Sequence, residues 1–433
     1  MIHYLLLILS AVVYYLLGYE TVRENFGLLI ALYGINGLVY LYWLATVRDK
    51  QYVNRLLLGA VLLRAVFLFA TPNLSDDVYR FIWDGKKIIR SESPYAGLPE
   101  KEYDATLYEK LNSKNYYSVY PPVNQLFFAV AGYFYNYSEQ SAIISLRILL
   151  LIFEILMIIL LRKMLIALKM AQWKSLIYAL NPLVIVEISG NLHFEGVMLF
   201  FLLLSWWLYS KQKSFWSGIS FGLAVGVKLS VLIFLPYLLW IFRKQIITFL
   251  GGFILSFTVI FGWFYLHQSE WHNFMQSIDL YFHTFEFNAS VYYILRTVGE
   301  SVLGYNPIKT AGTWLSIISF SVIMLIYLLS FLRHFDETGQ KFNFCPLLWA
   351  YSVYLLLATT VHPWYIVNLV FLAVFCSKSW YAIFWSLMVV VSYSAYQQAN
   401  VSENPLLITL EYTVVFLAFV YEYFISVRKR GVI

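Results

Sequence analysis

The chain has 433 residues, 61% of them hydrophobic and 12% charged, whereas a soluble domain carries about 25% charged residues. Water is the wrong solvent for such a composition, which excludes a soluble globular enzyme. The net charge of +6 is spread over short loops in clusters such as Arg428, Lys429 and Arg430, a pattern of cytoplasmic anchoring that speaks against a nucleic-acid partner.

Apolar stretches recur from Ile2 to Val427, about eleven to thirteen of them near the ~20 residues a bilayer-crossing helix needs. None shows the alternating ~10-residue segments of an outer-membrane barrel. Helices must therefore satisfy the backbone inside lipid, and the expected fold is all-α: one polytopic transmembrane domain over residues 1–433, surrounded by membrane lipids. The first stretch, Ile2 to Gly18, has no basic leader and no small-x-small cleavage pattern after it, so it reads as an uncleaved span. Further spans are expected near 26–46, 55–71, 121–136, 142–162, 173–189, 194–210, 214–241, 245–266, 288–304, 311–333, 343–361, 364–395 (as two short helices) and 406–427. Cys345 and Cys376 both fall in apolar segments and suggest neither a disulfide framework nor a cysteine metal site.

The basic loop holding Arg48, Lys50 and Arg55 is assigned to the cytoplasm by the positive-inside rule. The polar stretch 72–120 then lies on the extracytoplasmic side, with the N-terminus inside. Strict alternation would next put Arg162, Lys163, Lys169 and Lys174 outside. Either one segment between 121 and 162 fails to span, or the rule breaks there. A second polar stretch covers 267–290, and each of the two is a candidate to cover a site.

The first stretch opens with Ser75-Asp76-Asp77-Val78-Tyr79-Arg80-Phe81-Ile82-Trp83-Asp84-Gly85-Lys86, directly after a span. Adjacent carboxylates repel when both are ionised, which raises the pKa of one and suits it to general-base work. Equally, Asp76 can cap a short interfacial helix, with Asp77 and Asp84 solvated and Tyr79 and Trp83 in an aromatic belt. Tyr120-Pro121-Pro122 reads as a helix start. From Asn181-Pro182-Leu183 to Gly196, polar groups interrupt two spans. A carboxylate at membrane depth costs about 2.5–3.5 kcal/mol, so Glu187 is expected to face a cavity or a partner. Asn191, His193 and Glu195 cluster at the junction, where they can bind sugar hydroxyls or a phosphate, ligate a metal, or form a plain surface turn. Lys228 lies in a glycine-containing segment and wants an anion, or snorkels to an interface. In the second stretch, His267, His272, Asp279, His283 and Glu286 stand among aromatics before Asn288. In His362-Pro363-Trp364-Tyr365 a proline breaks an apolar run after a histidine, either as an interfacial kink or as a phosphate contact. There is no Walker loop, no Asp-x-Asp pair and no G-x-G-x-x-G fingerprint, which disfavours a nucleotide-sugar donor.

Taken in order, the Asp76 to Gly85 run, Tyr120-Pro121-Pro122, Asn181-Pro182-Leu183 with Glu187 and His193, then Lys228, Asn288 and His362 to Tyr365 resemble the GT-C superfamily of polytopic glycosyltransferases. Within it they are most similar to bacterial mannosyltransferases that use polyprenyl-phosphate sugars. The resemblance covers roughly residues 70–365. It implies a cytoplasmic-membrane enzyme with its site on the extracytoplasmic side, moving a hexose, mannose by this resemblance, from a polyprenyl-phosphate donor to a lipid or glycan hydroxyl with inversion. Asp76 or Asp77 would take the acceptor's proton. Arg80, Lys228, His193 and His362 would steady the leaving phosphate. Substrate contacts are also implied at Tyr79, Trp83, Asp84, Glu187, Asn191, Asn288, Trp364 and Tyr365. Oligosaccharide-transferring members of the superfamily use a divalent metal, but no clear ligand set stands here, so no metal and no cofactor are expected. Two spans precede the one leading into the acidic loop where many members have one, which leaves Asp76 and Asp77 unresolved. A transporter or lipid flippase is the main alternative, because Arg147, Glu154, Glu187 and Lys228 also suit a permeation path. A polysaccharide ligase or polymerase is the other.

Overall fold

The computed structural model describes residues 1–334, 343–397 and 401–430; the side chains of Arg428, Lys429 and Arg430 lie outside the described part. The described residues form helices and no strand, with one isolated bridge between Phe287 and Thr360. In chain order the main helices begin with α1 (Ile2–Glu20), α2 (Phe26–Thr46), α3 (Lys50–Ala65), α4 (Asp77–Ile89), α5 (Pro122–Tyr135) and α6 (Glu139–Ala167). Then come α7 (Pro182–Gly190), α8 (Glu195–Ser210), α9 (Ser214–Val227), α10 (Leu229–Ile241), α11 (Ile246–Leu266) and α12 (Gln268–His283). The last are α13 (Val291–Leu303), α14 (Ile308–His334), α15 (Cys345–Leu357), α16 (Pro363–Ala373), α17 (Trp380–Tyr396) and α18 (Pro405–Arg430).

Six of these, α1, α2, α6, α11, α14 and α18, are long and apolar enough to cross a membrane. The pair α7 and α8, bent by 112°, makes a seventh if it counts as one span. The other apolar stretches resolve into shorter helices, α9, α10, α15, α16 and α17, because polar residues or proline cut them. Lys228 is one such cut: its extended backbone (φ −149°, ψ 131°) separates α9 from α10. His362 and Pro363, at the start of α16, are another. The chain is thus an all-α, multi-pass membrane protein.

The topological conflict ends at α5. Its first turn is held by Asn124, whose amide donates to the Val227 carbonyl (2.9 Å). Just past its far end Glu139 pairs with Lys110 (2.6 Å) of the 72–120 stretch. The 14-residue α5 is shorter than the ~20 residues a crossing helix needs, whereas the 29-residue α6 is long and apolar enough to cross. Arg48 accordingly lies over the Trp173 ring at 4.0 Å, on the same end of the molecule as Lys174 and opposite Asp77. The second polar stretch is largely helical, as α12, and folds against the first. Ser277 donates to the Tyr117 carbonyl (2.9 Å) and Asn273 to that of Tyr95 (2.9 Å).

Charged side chains join the buried elements. Arg64 of α3 and Glu154 of α6 are fully buried and meet at 2.9 Å, with Tyr178 donating to the same carboxylate (2.8 Å). Arg147 of α6 donates to the carbonyls of Ser189 (2.8 Å) and Gly190 (2.9 Å) at the end of α7, and to that of Ala70. A cation there satisfies acceptors that a helix end leaves without partners. Two of the four side chains that suited a permeation path, Arg147 and Glu154, are in this way committed to internal partners. The backbones of α4 and α5 approach closely: a Cβ on Gly85 would strike the Phe128 backbone, and one on Gly132 the Gly85 backbone.

Two outcomes follow for stability. Gly85→Val should lower the melting temperature of the detergent-solubilised protein by an overpacking cost of about 1–3 kcal/mol or more, whereas Gly97→Val, where nothing lies within 4 Å of a new Cβ, should leave it unchanged. Glu154→Leu strands a buried guanidinium and should cost about 3–5 kcal/mol, while adding Arg64→Met to it should recover most of the loss. Thermal unfolding of the single and double variants measures this coupling.

Candidate active site

Asp76 and Asp77 follow the turn after α3, and the helix start separates their roles. Asp76 holds the N-cap position but makes no capping bond. Its carboxylate instead accepts from Arg23, in the turn between α1 and α2, at 2.6 Å. The amide of Asp77 donates to the Ser75 hydroxyl (3.3 Å), and the Asp77 carboxylate accepts from Asn112 (2.9 Å).

Two cavities adjoin this point. One, of about 830 Å³, is largely polar and aromatic, lined among others by Arg23, Asp76, Arg80, Tyr116, Glu286 and Tyr396. The other, of about 410 Å³, has Lys228, Glu195, His193 and Tyr365 among its polar lining, and Ile233, Phe320 and Ile323 among its apolar lining. Asp77 borders both, together with Tyr120, Tyr281, Thr360 and Trp364. Asp76 borders only the polar one. Enclosure raises the pKa of Asp77 above the ordinary aspartate value, because burial penalises the charged form more than the Asn112 bond and the Lys228 charge favour it.

Trp364 is held in a stack of rings. His193 lies on one face at 3.8 Å between centroids and His362 on the other at 4.3 Å, with Phe287 beyond His362 at 5.1 Å. The stack joins the α7–α8 bend to the start of α16 and to the end of the second polar stretch. Lys228, freed from helical geometry, reaches the Glu195 carboxylate and lies 5.9 Å from the centre of the Tyr365 ring. Behind His193, the fully buried Glu187 accepts from Tyr393 (2.8 Å) and Asn191 (3.0 Å), with His193 Nε2 at 3.4 Å from it.

The structure thus brings Asp76, Asp77, Arg80, His193, Lys228, His362, Trp364 and Tyr365 to the cavity walls. Asp84, Glu187 and Asn191 stand behind them. Asp84 accepts from Arg80 (2.8 Å), Gln125 (3.1 Å) and Ser118, and Arg80 also donates to the Tyr116 carbonyl (2.8 Å). Three expected contacts lie elsewhere. Tyr79 sits beside Lys110, with the ammonium 5.1 Å from its ring centre. Trp83 is buried against Tyr103 and Tyr108. Asn288, with a left-handed φ of 47°, donates to both Glu411 oxygens (3.2 Å each) and ties its loop to α18. Their side chains are taken up by packing and anchoring. Sequence reasoning missed Arg23, Asn112 and Tyr281. Arg23 carried a signal, a basic residue in the turn opposite the basic loop; Asn112 and Tyr281 carried none, since only the fold brings them here. Among the described residues no group of three or more His, Cys, Asp or Glu side chains gathers as a metal site.

No curated protein and no solved structure matches the chain. A family profile described as alpha-(1->6)-mannopyranosyltransferase, N-terminal domain, does match, over residues 8–244. That is more than half of the chain and includes Asp76, Asp77, Arg80, Glu187, His193 and Lys228, while the His362 to Tyr365 run lies beyond it. The chain therefore belongs to the alpha-(1->6)-mannopyranosyltransferase family, of GT-C type, and is a mannosyltransferase.

Proposed function

We propose that the enzyme transfers mannose from a polyprenyl-phosphate donor to a glycan or lipid-linked hydroxyl in a single displacement, with Asp77 as the general base. The observation that carries this reading is the position of Asp77 on the common border of a polar cavity and a partly apolar one. A sugar acceptor suits the first, rich in hydrogen-bonding and aromatic groups. A lipid-borne donor suits the second, where the apolar lining accommodates chain and Lys228 meets the phosphate.

Asp77 accepts the proton of the acceptor hydroxyl as that oxygen bonds to the anomeric carbon. The bond from that carbon to the phosphate oxygen breaks, and its electron pair leaves with polyprenyl phosphate. Lys228 stabilises the negative charge that develops there, in surroundings where a fixed cation acts more strongly than in water. Single displacement inverts the centre, so an α product requires a β-linked donor. Asp76 is neutralised by Arg23 and shapes the acceptor side. The site lies at the end of the molecule opposite Arg48 and Lys174, which the positive-inside rule makes extracytoplasmic.

With radiolabelled polyprenyl-phosphate mannose and a membrane-lipid extract as acceptor, Asp77→Asn should lose transfer by about 10²–10⁴-fold with its melting temperature retained, whereas Asp76→Asn should keep most of the rate. Equal rates in wild type and Asp77→Asn would remove the base; no consumption of the donor by wild type would remove the donor class. Since the base must be ionised, activity is present at high pH and lost as pH falls through the raised pKa of Asp77, so the acid limb of kcat/KM should lie above the ordinary value of about 3.9. Asn112→Ala deletes a bond that favours the carboxylate and should move this limb to higher pH. A limb that stays in place would take proton abstraction away from Asp77.

A further inference from the structure

Glu195 is the first residue of α8, immediately after the 112° bend. It is 1% exposed and borders the smaller cavity, with no part in the lining of the larger one. Its two carboxylate oxygens are unequal. Oε1 accepts from Lys228 and the residue's own backbone N–H reaches the carboxylate, while Oε2 is buried and accepts from no other residue. A buried acceptor that takes no donor from another residue is poorly compensated for its desolvation, and beside a ligand cavity a ligand hydroxyl is the group that supplies the missing donor.

The donor molecule offers three kinds of surface to that oxygen. The polyprenyl chain has no donor, and the phosphodiester is an anion that a carboxylate repels. Only the hexose carries O–H groups. The acceptor's hydroxyl is not the partner, because its proton is directed to Asp77 from the other cavity. We infer that Glu195 is a specificity-determining residue, accepting a hydrogen bond through Oε2 from one hydroxyl of the transferred hexose, while Oε1 steadies Lys228. The inference rests on the polyprenyl-phosphate donor proposed above and adds the part of that donor which is read. A charge-assisted bond of this kind discriminates strongly, since an analogue lacking the hydroxyl leaves the carboxylate oxygen unpaired.

The test compares transfer from polyprenyl-phosphate mannose with transfer from its 2-, 3-, 4- and 6-deoxy forms, in wild type and Glu195→Gln. In the variant Lys228 claims the amide oxygen and leaves an N–H donor where an acceptor stood. Wild type should lose about a hundredfold or more in kcat/KM with one deoxy form. Glu195→Gln should shrink that one ratio about tenfold or more and leave the other three ratios in place. If every donor slows by the same factor in Glu195→Gln, the residue acts only through Lys228 and the inference falls while the donor reading stands. If wild type consumes no polyprenyl-phosphate mannose, both fall. Should Glu195→Gln fail to fold, Glu195→Asp keeps the charge but withdraws it by one methylene, and the same selective loss of a single ratio is expected; a uniform change there also overturns the assignment.

Discussion

Arg64, Arg147 and Glu154 are almost wholly withdrawn from solvent among apolar helices, where an unpaired charge would cost several kcal/mol. Each is answered by a partner on another element: Arg64 by Glu154, and Arg147 by carbonyls at the end of α7 and in the turn after α3. This demand organises the molecule. It fixes α6 against α3 and closes off the end of α7, so that α8 departs at 112° from a supported break. His193 and Glu195, at the bend, line the smaller cavity.

The same demand separates anchoring charges from charges left at a cavity wall. Arg80 and Asp84 meet within α4, and their remaining bonds reach Tyr116, Ser118 and Gln125, which holds the 72–120 stretch down on its helix. Asp76 is tied to Arg23. What remains at the border between the cavities is Asp77, and facing the smaller one the Lys228 and Glu195 pair. The two cavities differ in character: the larger is lined mainly by polar and aromatic groups, the smaller also by apolar ones such as Ile233, Phe320 and Ile323. The stack of His193, Trp364, His362 and Phe287 makes part of the partition stiff, since each ring is held by its neighbours rather than by one rotamer.

Much of this is legible in the order of the amino acids. Composition excludes water as the solvent, and the recurrent apolar stretches make an all-α membrane fold necessary. Lys228, His193 and the His362 to Tyr365 run are marked by polarity where apolar residues are expected, and they do gather. Trp83, Tyr79 and Asn288 carry the same kind of mark and sit elsewhere, because a polar or aromatic residue near a membrane surface serves anchoring as readily as a cavity. The second polar stretch is legible as a cover, though not as the helix α12, whose residues pack on the first stretch.

The amino-acid sequence by itself determined the solvent, the secondary-structure class and which few residues were too polar for their surroundings, because these depend on transfer free energies summed locally along the chain. Tertiary structure decided which of the paired aspartates faces both cavities, since that turns on Arg23, some fifty residues away in the chain. It also decided where α5 begins and ends and what anchors it, through Asn124 at one end and the Glu139 to Lys110 pair just past the other. Partner choice among charges is a matter of distance in space, and no pattern along the chain encodes it.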